Sequence, residues 1–277
     1  MISFPNAKIN LGLHVVEQRT DGFHNIETVF YPVSLCDILE IIPSEKKGAE
    51  FTSSGLLIPD DSGSNLIIKV YQLFSSRYPA SGIRHPVSGI RIHLHKVIPM
   101  GAGLGGGSSD GANTIKMLSD LWKLDLSVQQ LQDLARQLGS DCAFFIENKP
   151  VYATGKGDQF EPIDLDLSGY QVVIVVPLVH MSTPEAYSIV NPQKPAEKIR
   201  EIIRLPVEQW ESRLINDFEE PVMKKHPIIR EIRAELYNQG AIFAAMSGSG
   251  AAVFGIFSLQ SSVHSLKFDP SIKVFSF

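Results

Sequence analysis

Along residues 7–15 the apolar side chains Ala7, Ile9, Leu11, Leu13 and Val15 alternate with Lys8, Asn10, Gly12 and His14. That period of two predicts a half-buried strand with Lys8 and Asn10 together on its polar face. Residues 27–35 and 37–42 read as two further strands, and the turn-rich, polar stretch 43–63 as a surface excursion. Asn65 can cap a helix whose Leu66, Ile67, Val70, Leu73 and Phe74 recur at helical spacing. Ile90, Ile92 and Leu94 alternate with Arg91, His93 and His95, a strand again. A helical stretch to about Trp122 follows. A second helix opens with Ser127 and Gln130 in capping-box spacing and carries Leu131, Leu134, Ala135 and Leu138, with Gly139 suited to its C-terminal stop. Residues 170–177 read as a buried strand, and Pro227 opens a helix through Ile228, Ile229, Ile232 and Leu236 that stops at Gly240. Apolar segments 241–246 and 251–257 flank Ser247-Gly248-Ser249-Gly250. No internal repeat and no regular βαβ rhythm is present, so the expected class is α+β in two lobes, 1–158 and 159–277.

Composition narrows the function classes. Hydrophobic residues make up 44% and charged residues 20% of the 277, the balance of a folded chain rather than a disordered one. The formal charge of −5 gives no basic field to draw in nucleic acid. No apolar run approaches the ~18 residues of a membrane span, and the N-terminal MISFPNAKIN lacks the pattern of a secretory signal, so no membrane partner and a cytoplasmic location are expected. Cys36 and Cys142 are the only cysteines and do not form a CxxC pair.

The most informative stretch is PMGAGLGGGSSD, residues 99–110, between a predicted strand and a predicted helix. Its glycines let backbone N–H groups approach an anion, and the helix start favours negative charge. Gly101, Gly103 and Gly106 formally match a dinucleotide fingerprint, but two helical patterns follow in place of the helix and strand that motif needs. A Walker A loop requires Gly-Lys before Ser or Thr, and Gly107-Ser108-Ser109 has no lysine. The protein-kinase signatures are absent as well.

In order and spacing, PNAKINLGL at 5–13, PMGAGLGGGSSDGA at 99–112 and the Gly248-Ser249-Gly250 region resemble the three motifs of the GHMP kinase superfamily. Arg19-Thr20-Asp21-Gly22-Phe23-His24 and Gly139-Ser140-Asp141 are similar to the branch that phosphorylates a cytidyl diphosphate alcohol on the non-mevalonate isoprenoid route. The resemblance implies a ribosomal-protein-S5-like N-terminal lobe, a ferredoxin-like C-terminal lobe, ATP with Mg2+ and a small cytidyl diphosphate substrate. It implies Asp141 as the catalytic carboxylate near the acceptor hydroxyl, with Lys8 keeping it ionised and steadying developing charge. Pro99, Met100, Gly101, Ala102, Gly103, Leu104, Gly105, Gly106, Gly107, Ser108 and Ser109 would hold the nucleotide, with Asn65 and Lys96 at the adenosine. Asn10 would contact substrate phosphate or hydroxyl, while Phe23 and Tyr187 sandwich the cytosine and His24 reads its edge. The family more often has Tyr at the place of Phe23. Metal ligands and oligomeric state are not readable, and Asp110 receives no role.

Bland alternatives stand beside these. Lys8 could sit on a solvated strand face, Asp141 in an ordinary turn, and Ser108 and Ser109 could merely cap a helix. Asn65 is explained as a cap and Lys96 as a strand-end charge. His93 and His95 lack the further ligands of a metal site and read as a solvated face, and Cys142 reads as buried filler. The competing functions are another GHMP kinase, of homoserine or mevalonate type, and a non-catalytic nucleotide-binding relative.

Overall fold

A computed structural model describes residues 1–58, 65–78 and 89–277. Twelve strands and eight α-helices are assigned among them. The strands are β1 (Ile2–Ser3), β2 (Asn6–Gln18), β3 (His24–Cys36), β4 (Ile38–Ser44), β5 (Gly48–Gly55), β6 (Gly89–Lys96), β7 (Val151–Thr154), β8 (Gln159–Pro162), β9 (Tyr170–Val176), β10 (Phe243–Met246), β11 (Val253–Ser258) and β12 (Lys273–Ser276). The helices are α1 (Leu66–Arg77), α2 (Gly106–Leu121), α3 (Val128–Arg136), α4 (Phe144–Glu147), α5 (Thr183–Ile189), α6 (Ile199–Ile202), α7 (Glu219–Lys225) and α8 (Pro227–Asn238). The strands form three four-stranded sheets, β1-β4-β6-β5, β2-β3-β7-β8 and β10-β11-β9-β12. Only β5 against β6 is parallel among the registers determined, so the class is α+β as the sequence predicts.

Contacts gather the chain into two compact units that interleave in sequence. The first comprises Met1–Ala7, Leu35–Met100 and Gly105–Asn148; the second comprises Lys8–Ser34, Gly101–Leu104 and Lys149–Phe277. This grouping follows contacts rather than a single cut of the chain at 158.

In the first unit, α1 packs on α2, and α2 on α3 and α4. Asn65 caps α1 by accepting the Ile67 N–H at 2.9 Å, and Ile67, Val70 and Phe74 bury the inner face. The Ser127–Gln130 capping box of α3 is present in both directions. That helix ends at Arg136, and Gly139, with an extended φ of 172°, instead precedes a 3₁₀ turn at Ser140–Ala143. The proposed excursion at 43–63 is also corrected: β4 continues to Ser44 and β5 occupies Gly48–Gly55, because pairing with β6 overrides the weak strand preference of Gly48, Ala49, Glu50 and Gly55. Residues 59–63 of that stretch lie outside the described residues.

In the second unit one apolar cluster joins β2 (Leu13, Val15), β9 (Val173, Val175), α8 (Ile229, Ile232, Leu236) and β11 (Val253, Phe257). β2 departs from its half-buried reading, for Ala7 to Val15 are buried on both faces of the strand. Its polar face tolerates burial because Asn10 and His14 find hydrogen-bond partners, Thr28 and Asp217. Among the described residues no helix is long and apolar enough to cross a membrane.

Candidate active site

Lys8, predicted as a possible solvated charge, is 4% exposed. Its Nζ donates to Asn10 Oδ1 at 2.5 Å and to the Gly103 carbonyl at 3.0 Å, and lies 5.0 Å from the centroid of the Phe30 ring. Asn10 is held from its other end: Nδ2 donates to Thr28 Oγ1 at 3.0 Å, and Thr28 in turn to the Gly12 carbonyl at 2.5 Å. The Asn10 backbone N–H donates to Ser247 Oγ at 3.2 Å, and that hydroxyl donates to the Gly103 carbonyl at 2.9 Å. A buried amide and a serine therefore fix the lysine head group, and all of these residues belong to the second unit.

The same knot grips the first part of the glycine run. Lys8 N–H donates to Leu104 O at 2.9 Å and Ala252 N–H to Ala102 O at 3.1 Å. Gly103 has φ +79°, and a Cβ there would stand 2.0 Å from the Ser247 carbonyl oxygen, so both backbone angle and space demand glycine. Asn216 Nδ2 donates to the carbonyls of Met246 and Gly248, both at 2.8 Å, steadying the turn that carries Ser247.

In the first unit the run becomes the start of α2. Gly105, at φ 70°, is the N-cap, with no capping side chain. Ser108 and Ser109 therefore do not serve as caps; they sit inside the first turn, where the cap reading would need them one or more residues earlier. The Ser109 hydroxyl is fully buried and has no hydrogen-bond partner among the described residues. Ser108 hydrogen-bonds to the Cys142 thiol, which burial pushes up to about 12, so Cys142 is inert filler as expected. That bond brings the first turn of α2 beside the Ser140–Ala143 turn, which carries the half-buried Asp141. A cradle of uncapped helical amides, an open space beside Gly107 and an orphaned buried hydroxyl suit a phosphate group.

Lys96 is corrected from a strand-end charge to a buried ion. It is 2% exposed, with Nζ 2.5 Å from Asp37 Oδ2 and 2.6 Å from Asp110 Oδ2. Asp37 Oδ1 also accepts the N–H groups of Val97 and Ile98 at 2.6 and 2.9 Å. The ammonium lies 3.1 Å from where a Gly106 Cβ would stand. Asp110, which the sequence reading left without a role, is buried here, and its Oδ1 has no hydrogen-bond partner among the described residues. Burial and the neighbouring Asp37 outweigh Lys96 and push the Asp110 carboxyl up to about 7.

His24 stacks on Tyr187 in the second unit, ring centroids 4.6 Å apart at 18°, and Tyr187 meets Phe218 edge-on at 5.0 Å. The ring lying on Tyr187 is thus that of His24, while Phe23 is 55% exposed and has Lys156 Nζ 4.7 Å from its centroid. Asn65 is occupied as the α1 cap, and Met100 is exposed. His93 and His95 both engage strand β5 hydroxyls, His93 with Thr52 and Ser54 at 2.9 and 3.0 Å and His95 with Ser54 at 2.9 Å. Among the described residues no group of three His, Cys, Asp or Glu side chains is arranged to hold a metal ion. Residues missed from sequence were Thr28, Ser247, Asn216 and Asp37. The SGSG stretch flagged the neighbourhood of Ser247, whereas Thr28, Asn216 and Asp37 carry no local signal.

Comparison with known proteins decides the family. The GHMP kinase N-terminal domain matches residues 65–149 and the GHMP kinase C-terminal domain residues 187–267. The chain belongs to the GHMP kinase family. A 4-diphosphocytidyl-2-C-methyl-D-erythritol kinase of Azobacteroides pseudotrichonymphae is 52% identical over 258 residues, covering 93% of each chain. Its counterpart from Bacteroides fragilis is 48% identical over 271 residues, covering 97% of this chain and 96% of the relative. A crystal structure of 4-(cytidine 5'-diphospho)-2C-methyl-D-erythritol kinase superposes with a TM-score of 0.79 at 32% identity, covering 96% of this chain and 92% of that one. The mevalonate kinase of Methanococcus jannaschii shares the fold, with a TM-score of 0.73 at 16% identity, over 100% of this chain and 97% of that one. As a GHMP kinase the chain is an enzyme that transfers a phosphoryl group from ATP to an alcohol on a small molecule.

Two outcomes follow from this geometry. Gly103→Ala adds a side chain at positive φ, a cost of ~1–2 kcal/mol before any clash, so thermal unfolding is expected several degrees lower; an unchanged Tm would show that the knot yields. For Asp110, the folded value of about 7 stands above the ordinary 3.8. The folded chain therefore binds the extra proton, and stability present below about pH 4 is lost as pH rises through 7, by up to ~4 kcal/mol at ~1.4 kcal/mol per unit. Asp110→Asn keeps an acceptor for Lys96 and should flatten the fall in Tm between pH 4 and 7.5. A slope equal to that of the parent protein would refute the assignment.

Proposed function

We propose that the chain uses ATP to phosphorylate the 2-hydroxyl of 4-diphosphocytidyl-2-C-methyl-D-erythritol, on the non-mevalonate route to isoprenoid precursors. The observation that carries this reading is the near-full-length identity of about half to kinases bearing that substrate's name, 52% in one case. The buried Lys8 knot fits it, since it holds an ammonium in one orientation beside the glycine run.

Phosphoryl transfer asks the protein for positioning and charge stabilisation. In this reading the amides of 101–107 and the hydroxyls of Ser108 and Ser109 hold the nucleotide phosphates, with Pro99 and Met100 leading into the loop and Asn65 at the adenosine. Lys96 serves the same region from within, fixing the start of α2 through Asp37 and Asp110. Mg2+ accompanies the phosphates, as it does where an all-protein cage is lacking. Asp141 takes the proton of the acceptor hydroxyl. Lys8 supplies positive charge in an orientation set by Asn10 and Gly103, and Asn10 contacts the acceptor substrate. Phe23, His24 and Tyr187 receive the cytosine. The N- and C-terminal lobes of the reaction are assigned to 1–158 and 159–277, and the cytoplasm is the expected compartment.

The deciding experiment is a panel of alcohol acceptors assayed with ATP. The cytidyl substrate should be phosphorylated with kcat/KM far above mevalonate and homoserine; activity on either of those instead would overturn the reading. Asp141→Asn should cut kcat by ~100-fold or more, the scale of a general base, with both substrates still binding by calorimetry. Near-normal turnover in that variant would return Asp141 to turn chemistry. His24→Ala should erode the preference for cytidyl over uridyl substrate, because a polar base edge left unpaired is what enforces such selectivity; an intact preference would remove the histidine from base recognition.

A further inference from the structure

The exposed Phe23 ring stands on a backbone that is tied on every side. Arg19 N–H donates to the Phe23 carbonyl at 2.8 Å, and Phe23 N–H to Asp21 Oδ1 at 3.1 Å. The Arg19 guanidinium grips both Asp21 oxygens at 2.9–3.1 Å and reaches Asn25 Oδ1 at 3.0 Å. A second turn of the same unit lies beside this one. Gly157 N–H donates to Thr154 O at 3.1 Å and Lys156 N–H to Asp158 Oδ1 at 3.1 Å, while the Gly155 carbonyl accepts the Ile26 N–H at 2.8 Å. The last bond anchors the turn to β3, two residues beyond His24. Lys156 itself forms no ion pair among the described residues; its ammonium lies 4.7 Å from the Phe23 ring centroid. Asp21, which feels its charge, is already bound to Arg19.

A cation over one face of an aromatic ring covers that face and fixes the ring's tilt. The backbone bonds leave the Phe23 side chain free to turn, so the ammonium is what selects its orientation. We propose that Lys156 is a positioning residue for the acceptor substrate: it holds Phe23 by one face so that the opposite face receives the nucleobase. This rests on the reading of Phe23 as a base platform.

The test is steady-state kinetics on Lys156→Gln, Lys156→Arg, Phe23→Leu and the Lys156→Gln/Phe23→Leu double variant, with cytidyl substrate and ATP varied separately. A ring-positioning contact acts on ground state and transition state alike, so it shows in KM and not in kcat. Lys156→Gln is expected to raise the cytidyl KM about two- to five-fold, leaving kcat and the ATP KM as in the parent. Lys156→Arg, which keeps the cation over the ring, should restore KM. Phe23→Leu should raise KM further, and the double variant should match Phe23→Leu alone, because the lysine acts through the ring. Two results overturn the lysine's role only: an unchanged KM in Lys156→Gln beside a raised one in Phe23→Leu, or full additivity in the double variant. An unchanged KM in Phe23→Leu removes the base platform itself, and this proposal with it.

Discussion

The carbonyl oxygen of Gly103 is the point on which the second unit's chemistry hangs. It accepts from Lys8 Nζ and from Ser247 Oγ at once, and neither donor has the same meaning without the other. Ser247 also accepts the Asn10 N–H, so the strand that carries the lysine, the turn that carries the serine and the glycine loop share one short network. Lys8, Asn10 and Ser247 are buried and Gly103 is half-buried, and a buried polar group left unpaired costs ~1–3 kcal/mol. The network therefore forms whole or not at all, and it converts a flexible-looking glycine sequence into a fixed segment. Glycine is required there for closeness rather than for motion, because the Ser247 carbonyl occupies the space a side chain would fill.

The first unit solves a different problem at the other part of the same run. Its helix start offers amides to an anion, yet two carboxylates, Asp37 and Asp110, lie buried close by. Lys96 offsets their charge, but burial of the Asp110 carboxyl, together with the neighbouring Asp37, outweighs it and raises Asp110. Taking Lys96 away leaves two desolvated carboxylates without compensation, which is far more costly than the net worth of the pairing, whereas taking Asp110 away leaves Lys96 paired with Asp37. The triad is thus an internal support whose cost is set by burial.

How far the sequence carried this picture depends on the range of the interaction concerned. Period and capping are local, and they located β2, β6, β9, α1, α3 and α8 together with the Asn65 and Ser127 caps. The glycine run, Lys8, Asn10 and Asp141 were nominated from motifs whose residues act on neighbours in the chain or on a ligand. What failed was long-range. Strand β5 is made of residues with little strand preference and exists because β6 pairs with it. The two-sided burial of β2 and the burial of Lys96 depend on partners tens of residues away, such as Thr28 for Asn10 and Asp37 for Lys96. Ser108 and Ser109 have the right identity for a cap but the wrong position by a turn's fraction, because a left-handed glycine already fills that place.

The two buried lysines show why residue type alone could not rank them. Both are almost fully withdrawn from water, and the resemblance placed Lys8 beside Asp141 and Lys96 at the adenosine. Lys96 faces two carboxylates at 2.5 and 2.6 Å, so a phosphate could claim it only by breaking bonds that its own burial demands. Lys8 donates to an amide oxygen and a backbone carbonyl of its own unit, and these fix the orientation of its head group. A head group whose orientation is set beforehand needs no reorganisation to meet charge that develops beside it. Burial withdraws both lysines from water, yet Lys96 is committed by its two carboxylates to the scaffold on which the helix amides are displayed.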